Sequence, residues 1–378
     1  MKKQLALISV IGFFLLIQPL SAQTWLSAKR LTWNPGNSFS PAVAVDSSDN
    51  IHVAWHDWTP GNLEIYYKKS TDGGTTWTTK RLTYNSGFSG YPAIAIDSNN
   101  HIHLVWFDET PGITEIYYKR STDGGTTWTT KRLTYTSGSS SHPAIAVDSN
   151  NHIHVAWSDY TPGNDEIYYK RSTDGGTTWI TKRLTYNSGH SEYPVMAVDS
   201  NNHIHMVWQD QTPGNHEIYY KKSTNGGATW TTKRLTWDPA FSWFSAITVD
   251  SSNHIHVIWK DDTSGNGEIH YKRSTNGGAT WTTKRLTYTY GDSMLPAITT
   301  DSNNNIHVVW EDDTPGNYEL YFKRSTNGGV SWTTKRLTYT SGDSMLSAIT
   351  TDSNNNIHVV WHDKRPGNFE IYYKKGIQ

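Results

Sequence analysis

The 378-residue chain predicts an all-β fold: a seven-bladed β-propeller with four antiparallel strands per blade, an N-terminal strand closing the last blade. Three observations carry this expectation. Trp55, Trp106, Trp157, Trp208, Trp259, Trp310 and Trp361 stand 51 residues apart, and Arg30, Arg81, Arg132, Arg183, Arg234, Arg285 and Arg336 keep the same interval. Each unit contains four short segments of strand character and no helical periodicity. Residues 23–378 number 356, against 357 for seven periods of 51, so almost nothing lies outside the repeat.

The first element is a leader. Lys2 and Lys3 precede an apolar stretch from Leu5 to Ile17 and a small-residue site at Ser21 and Ala22, the pattern of a signal peptide over residues 1–22. The stretch is shorter than a bilayer-spanning helix and no second one follows. The remainder, residues 23–378, is expected to be one propeller domain, secreted or periplasmic, without a membrane span. With no cysteine there is neither a disulfide nor a lipoprotein anchor, so the core must hold the fold unaided. Thirty-three Lys and Arg against 34 Asp and Glu give a net charge of -1, which supplies no electrostatic reason to bind nucleic acid.

Next come the blades. In the second unit the expected strands are Pro92 to Asp97, Ile102 to Phe107, Glu115 to Lys119 and Thr130 to Thr134. Asp97-Ser98-Asn99-Asn100, Thr110-Pro111-Gly112 and Asp123-Gly124-Gly125 separate them as turns. Repetition of four strands at this length is the pattern of propeller blades, whose radial closure protects strand edges. The last unit ends after its third strand at Gln378, and Trp25 to Thr32 matches the missing fourth strand, so the N-terminus is expected to complete blade seven.

Six units carry the motif Ser-x-Asp/Asn-x-Gly-x-Thr/Ser-Trp between their third and fourth strands: Ser70 to Trp77, Ser121 to Trp128, Ser172 to Trp179, Ser223 to Trp230, Ser274 to Trp281 and Ser325 to Trp332. On these boxes the whole of residues 23–378 resembles the Asp-box, or BNR repeat, proteins of the sialidase-like propeller superfamily. The resemblance implies that the boxes lie on the face away from an active site. The box also has its own turn chemistry: Asp72 accepts backbone N–H groups, the glycine pair permits positive φ, and Trp77 packs into the blade.

Comparing the seven copies points to the opposite face. The connections after strands one and three scarcely vary, whereas those after strands two and four do. The variable positions supply aromatic and imidazole groups, of which Phe39, Trp58, Phe88, Tyr91, His142, Tyr160, His190, Tyr193, Phe241 and Trp243 are the candidate ligand contacts. Flat rings beside hydrogen-bonding groups suit sugar rings; packing between blades is the competing use of the same side chains.

Resemblance to sialidases implies an arginine triad for the substrate carboxylate, a Tyr nucleophile activated by Glu, an Asp acid/base and a Phe/Tyr-Arg-Ile-Pro motif. This chain has 12 Arg and no Arg-Ile-Pro; only Arg365 falls in a variable loop. Sialidase activity is therefore not expected. Should another carbohydrate chemistry operate here, His56, His362, Arg365, Tyr91 and Tyr193 are the candidate groups. The repeated Asp57 and Glu64 series reads as architecture, with Glu facing the repeated Arg across strands. His-Ile-His segments such as His101/His103 have spacing that offers two imidazoles to a metal, and the Asp-Ser-Asn-Asn turns offer oxygen ligands, but Asx-type hairpin turns explain the latter and no metal or other cofactor is expected. Three functions stay open: a monomeric, non-catalytic binder of extracellular glycan or protein, a carbohydrate-active enzyme on the same face, and a structural or adhesive module.

Overall fold

A computed structural model describes residues 23–378; the expected signal peptide lies outside them. Blade one comprises Ser38–Val45, Ile51–Asp57, Glu64–Ser70 and Thr78–Arg81, paired antiparallel in that order from the axis outward. The unit recurs six times. In blade seven, Ser344–Thr351, Ile357–Asp363 and Glu370–Ile377 are completed by two short N-terminal strands, Thr24–Trp25 and Lys29–Arg30. Trp25 pairs with Gly376 and Arg30 with Tyr372, which is the expected closure. Inner strands begin three residues earlier than the sequence suggests, at Ser89 rather than Pro92, because a bulge between Gly90 and Ala93 continues the ladder past the proline.

The core lies between blades. Second strands such as Ile51–Asp57 are buried along their whole length because a neighbouring sheet covers each face. Ala54, Ile65, Tyr67 and Leu82 of blade one pack on Ile102, Leu104 and Trp106 of blade two, and the repeated Trp residues are at most 2 % exposed. Burying one such side chain is worth roughly 2–3 kcal/mol, and the repeat supplies a ring of them without any disulfide.

Two devices on the Asp-box face tie the ring together. Asp97 Oδ1 accepts the N–H groups of Asn99 and His101 as an Asx turn, and Oδ2 lies 3.2 Å from His103 Nε2, whose Nδ1 meets Tyr118 Oη at 2.8 Å. The His-Ile-His pairs are thus structural ties: both imidazoles meet the Asp of the turn, and the second also meets Tyr. Each turn also reaches the next blade: the N–H and hydroxyl of Ser98 both donate to Asn151 Oδ1, and the series closes on itself where Ser353 donates to Asp49. In the Asp box, Gly125 takes φ +95°, and a Cβ there would stand 2.8 Å from the Tyr67 ring. That close approach lets Trp128 pack edge-on against Tyr67 of the preceding blade at 5.3 Å.

Candidate functional site

The opposite face opens at the axis. Inner strands start with a bulge whose third residue adopts the left-handed region: Ser40, Tyr91, His142, Tyr193, Phe244, Leu295 and Leu346 have φ between 47° and 54°. For non-glycine residues this costs about 1 kcal/mol or more each, and such strain concentrates where a site needs it. Five of the seven precede proline, tolerated because the inner strand has no partner on its axial side. The bulge brings all seven side chains to the rim of one cavity of about 490 Å³.

The cavity wall is asymmetric. Ring contacts run from Phe39 to His56 at 5.7 Å, His56 to Tyr91 at 5.5 Å, Tyr91 to His142 at 5.6 Å, His142 to Tyr193 at 4.0 Å and Tyr193 to Phe244 at 5.8 Å. This aromatic arc spans blades one to five, while Leu295 and Leu346 close the other side. Burial holds the His142 imidazole down at about 4, so it is neutral at physiological pH.

The bulges are propped from below. The N–H of Tyr91 donates to His56 Nδ1 at 3.1 Å, that of Tyr193 to Ser158 Oγ at 3.2 Å, that of Phe244 to Gln209 Oε1 at 3.3 Å and that of Leu346 to Glu311 Oε2 at 2.8 Å. In these four cases the variable residue at the end of the second strand therefore supports the axial residue of the next blade. Glu311 is 1 % exposed with no partner for Oε1 among the described residues, and burial pushes its carboxyl up to about 8.

Of the candidate acid/base residues, His56 touches Tyr91 and shares Phe39 with His362, whereas Arg365 is turned to Asp363. His56 and His362 lie under Phe39, 4 % and 3 % exposed, and burial lowers them to about 4 and about 3. Arg365 donates through Nε to Asp363 Oδ1 at 2.8 Å and stacks on Tyr372, so its charge is already paired. Only Tyr91 and Tyr193 of that group reach the cavity. Among the candidate ligand contacts, Tyr91, His142 and Tyr193 line it. Trp58 with Phe88 and Tyr160 with His190 form pairs outside the lining, with centroids 5.2 and 6.2 Å apart, while Trp243 packs on Phe241 at 5.1 Å and reaches the cavity wall by stacking on Phe244 at 6.2 Å. Phe39 is packed among His56, His362 and Phe369.

Sequence comparison missed the cluster of Asp165, His190 and Glu192, whose facing atoms lie within 4.8 Å of one another. His190 Nδ1 stands 2.8 Å from Asp165 Oδ2, and Gln209 donates to Glu192 Oε2 at 3.3 Å. Burial, then the charge of Asp165, raises the Glu192 carboxyl. It also missed Phe244, Leu295 and Leu346; the available signal was their fixed place directly before the Pro or Ser that follows the bulge.

A closed ring of seven four-stranded blades, with Asp boxes on one face and an axial cavity on the other, defines an Asp-box propeller of sialidase-like architecture. Residues 61–258, just over half of the chain, match the family model of the BNR repeat-like domain, and the chain belongs to that family. No curated protein matches it in sequence. Among solved structures it is similar to a polysaccharide lyase of family PL25, an ulvan lyase bound to GlcA(1-4)Rha3S, at 11 % identity and TM-score 0.68, covering 91 % of this chain and 95 % of that one. It is also similar to the GH93 α-L-arabinofuranosidase of Fusarium graminearum in complex with arabinobiose, at 13 % identity and TM-score 0.58, covering 93 % and 97 %. A third is the intramolecular trans-sialidase from Ruminococcus gnavus, at 12 % identity and TM-score 0.55, covering 92 % and 97 %. At these identities the likeness is one of fold.

Proposed function

We propose that this protein is a secreted, monomeric, non-catalytic carbohydrate-binding propeller that takes a neutral sugar into its axial cavity. The observation that carries the reading is the arc of Tyr91, His142, Tyr193 and Phe244 around a mostly apolar cavity with no cationic side chain in its wall among the described residues. Such a wall offers ring faces to sugar C–H groups and offers no cation to a carboxylate or sulfate. The cations nearest that face are engaged: Lys260 with Asp262 at 2.9 Å, Arg365 with Asp363, and Lys364 over Phe369. A substrate of the acidic kind named for the ulvan lyase would meet Asp165 and Glu192 instead of a counter-ion. Isothermal titration with neutral oligosaccharides tests the reading: Tyr193→Ala is expected to weaken binding about tenfold, and binding unaffected by that change would count against it.

One observation favours a second reading, a glycoside hydrolase. Glu192, held protonated to higher pH beside the carboxylate Asp165, has the arrangement of an acid next to a base, close to His142 and Tyr193. Release of reducing sugar that disappears in Glu192→Gln while binding persists would establish it.

A further inference from the structure

Each outer strand ends in Lys-Arg-Leu-Thr followed by Tyr or Trp: Trp33, Tyr84, Tyr135, Tyr186, Trp237, Tyr288 and Tyr339. These seven rings are 63–75 % exposed, among the most exposed large side chains of the protein, although the Leu two residues earlier is buried in every blade. They contribute little to the core, yet at this position the copies exchange only Tyr for Trp.

Each ring is held flat from behind. The guanidinium of Arg81 lies 4.4 Å from the centroid of Tyr84, and the same contact recurs in all seven blades, at 4.4–4.5 Å for Tyr and 5.8 Å for Trp. That arginine is fixed in turn: its Nε donates to the carbonyl of Thr83 at 2.7 Å, and its Nη2 meets Oε1 of fully buried Glu64 at 3.0 Å. One face of every ring is therefore covered by a neutralised cation, and the other is open to solvent. A pre-set flat ring loses little freedom on binding.

We propose that these seven aromatics are equivalent sugar-stacking platforms, one per blade, on which the propeller holds a polysaccharide chain at several points at once. The occupant follows from the arrangement. A protein partner of ordinary affinity needs a contiguous buried patch of about 800 Å² per side. Here the platforms are set apart on separate blades, each flanked by polar Thr, Lys and Asn or Asp side chains or by proline. A polymer that presents the same C–H face at every sugar matches a repeated single ring, and weak contacts multiply into avidity. Because each arginine is paired with glutamate, the contact does not depend on net charge and should be insensitive to salt. The platforms lie outside the axial cavity, so this proposal stands or falls separately from the axial one.

The test is affinity electrophoresis of the full chain through gels containing soluble xylan, mannan, mixed-linkage β-glucan or alginate. Leucine keeps the arginine covered while removing the flat face, so the variants are Tyr84→Leu, the triple Tyr84→Leu/Tyr186→Leu/Tyr288→Leu and the matching triple Tyr→Phe, each checked by melting temperature. The expected result is retardation by at least one polymer, unchanged from 50 mM to about 0.5 M salt, reduced a few-fold in the single Leu variant and more than tenfold in the triple, and retained with Phe and with Tyr193→Ala. A folded triple Leu variant retarded like the parent, or a parent retarded by none of the four polymers, would overturn the proposal.

Discussion

Glu311→Gln isolates the least comfortable group under the axial cavity. The carboxyl is 1 % exposed, accepts one backbone N–H from Leu346 and leaves its other oxygen unpartnered among the described residues. Burial carries it from the ordinary 4.5 to about 8. A group protonated to higher pH in the folded than in the unfolded state gives stability that is fully present below about 4.5 and lost as pH rises through about 8. At 1.36 kcal/mol per pH unit the loss approaches about 5 kcal/mol, a ceiling that relaxation and water entry reduce. Glutamine keeps the shape and the acceptor for Leu346 but cannot ionise. Parent and variant should therefore melt together below about pH 4.5 and separate progressively between about 4.5 and 8, the gap then staying level and the variant ending roughly 5 °C higher at pH 9 for a domain of this size. Thermal melts by circular dichroism across that range are the assay. A gap that is independent of pH, or one that narrows as pH rises, would refute the reasoning.

The other predictions address closure, acid and ion pairing. Deleting residues 23–32 removes Leu31, 2 % exposed, and Arg30, leaving buried Glu370 without its 2.7 Å partner; together these cost at least about 5 kcal/mol, and an unchanged melting curve would contradict the closure of blade seven. His56, His142 and His362 sit at about 4, 4 and 3, below the ordinary 6.5, so the stability they contribute is present above 6.5 and drains away as pH falls toward 4. Melts at pH 7.0 and 4.5 should differ by 10 °C or more, on the order of several kcal/mol, and equal midpoints would exclude it. Arg183→Ala strands Glu166, which is fully buried and 3.0 Å from the guanidinium; a loss of about 3 kcal/mol in urea unfolding is expected, and less than 1 kcal/mol would show the pair to be dispensable.

The architecture was legible because it is periodic. A 51-residue interval between Trp55 and its equivalents fixes blade number, and the Trp25 to Thr32 match fixes how the ring closes. The Glu64 and Arg81 series could be read as a cross-strand pair because both members recur together. The site was harder to read. Variation between copies singled out one face, but His56 and Tyr91 vary alike while one props a bulge and the other lines the cavity. Which role a residue takes depends on the left-handed turn at Ser40, Tyr91 and their equivalents, and no glycine marks that turn. Asp165, His190 and Glu192 come from two separate connections that meet only in space. Trp33, Tyr84 and their equivalents escaped notice for the opposite reason: a search for differences passes over what every copy shares.

The most direct measurement of the axial claim is titration of matched oligosaccharides, a neutral one and its uronate counterpart of the same linkage, into the parent and into Tyr193→Ala. Binding of the neutral sugar by the parent, weakened about tenfold in the variant and absent for the uronate, is the result expected from a cavity walled by rings and lacking a cation. Equal or tighter binding of the uronate, with no effect of Tyr193→Ala, would contradict it.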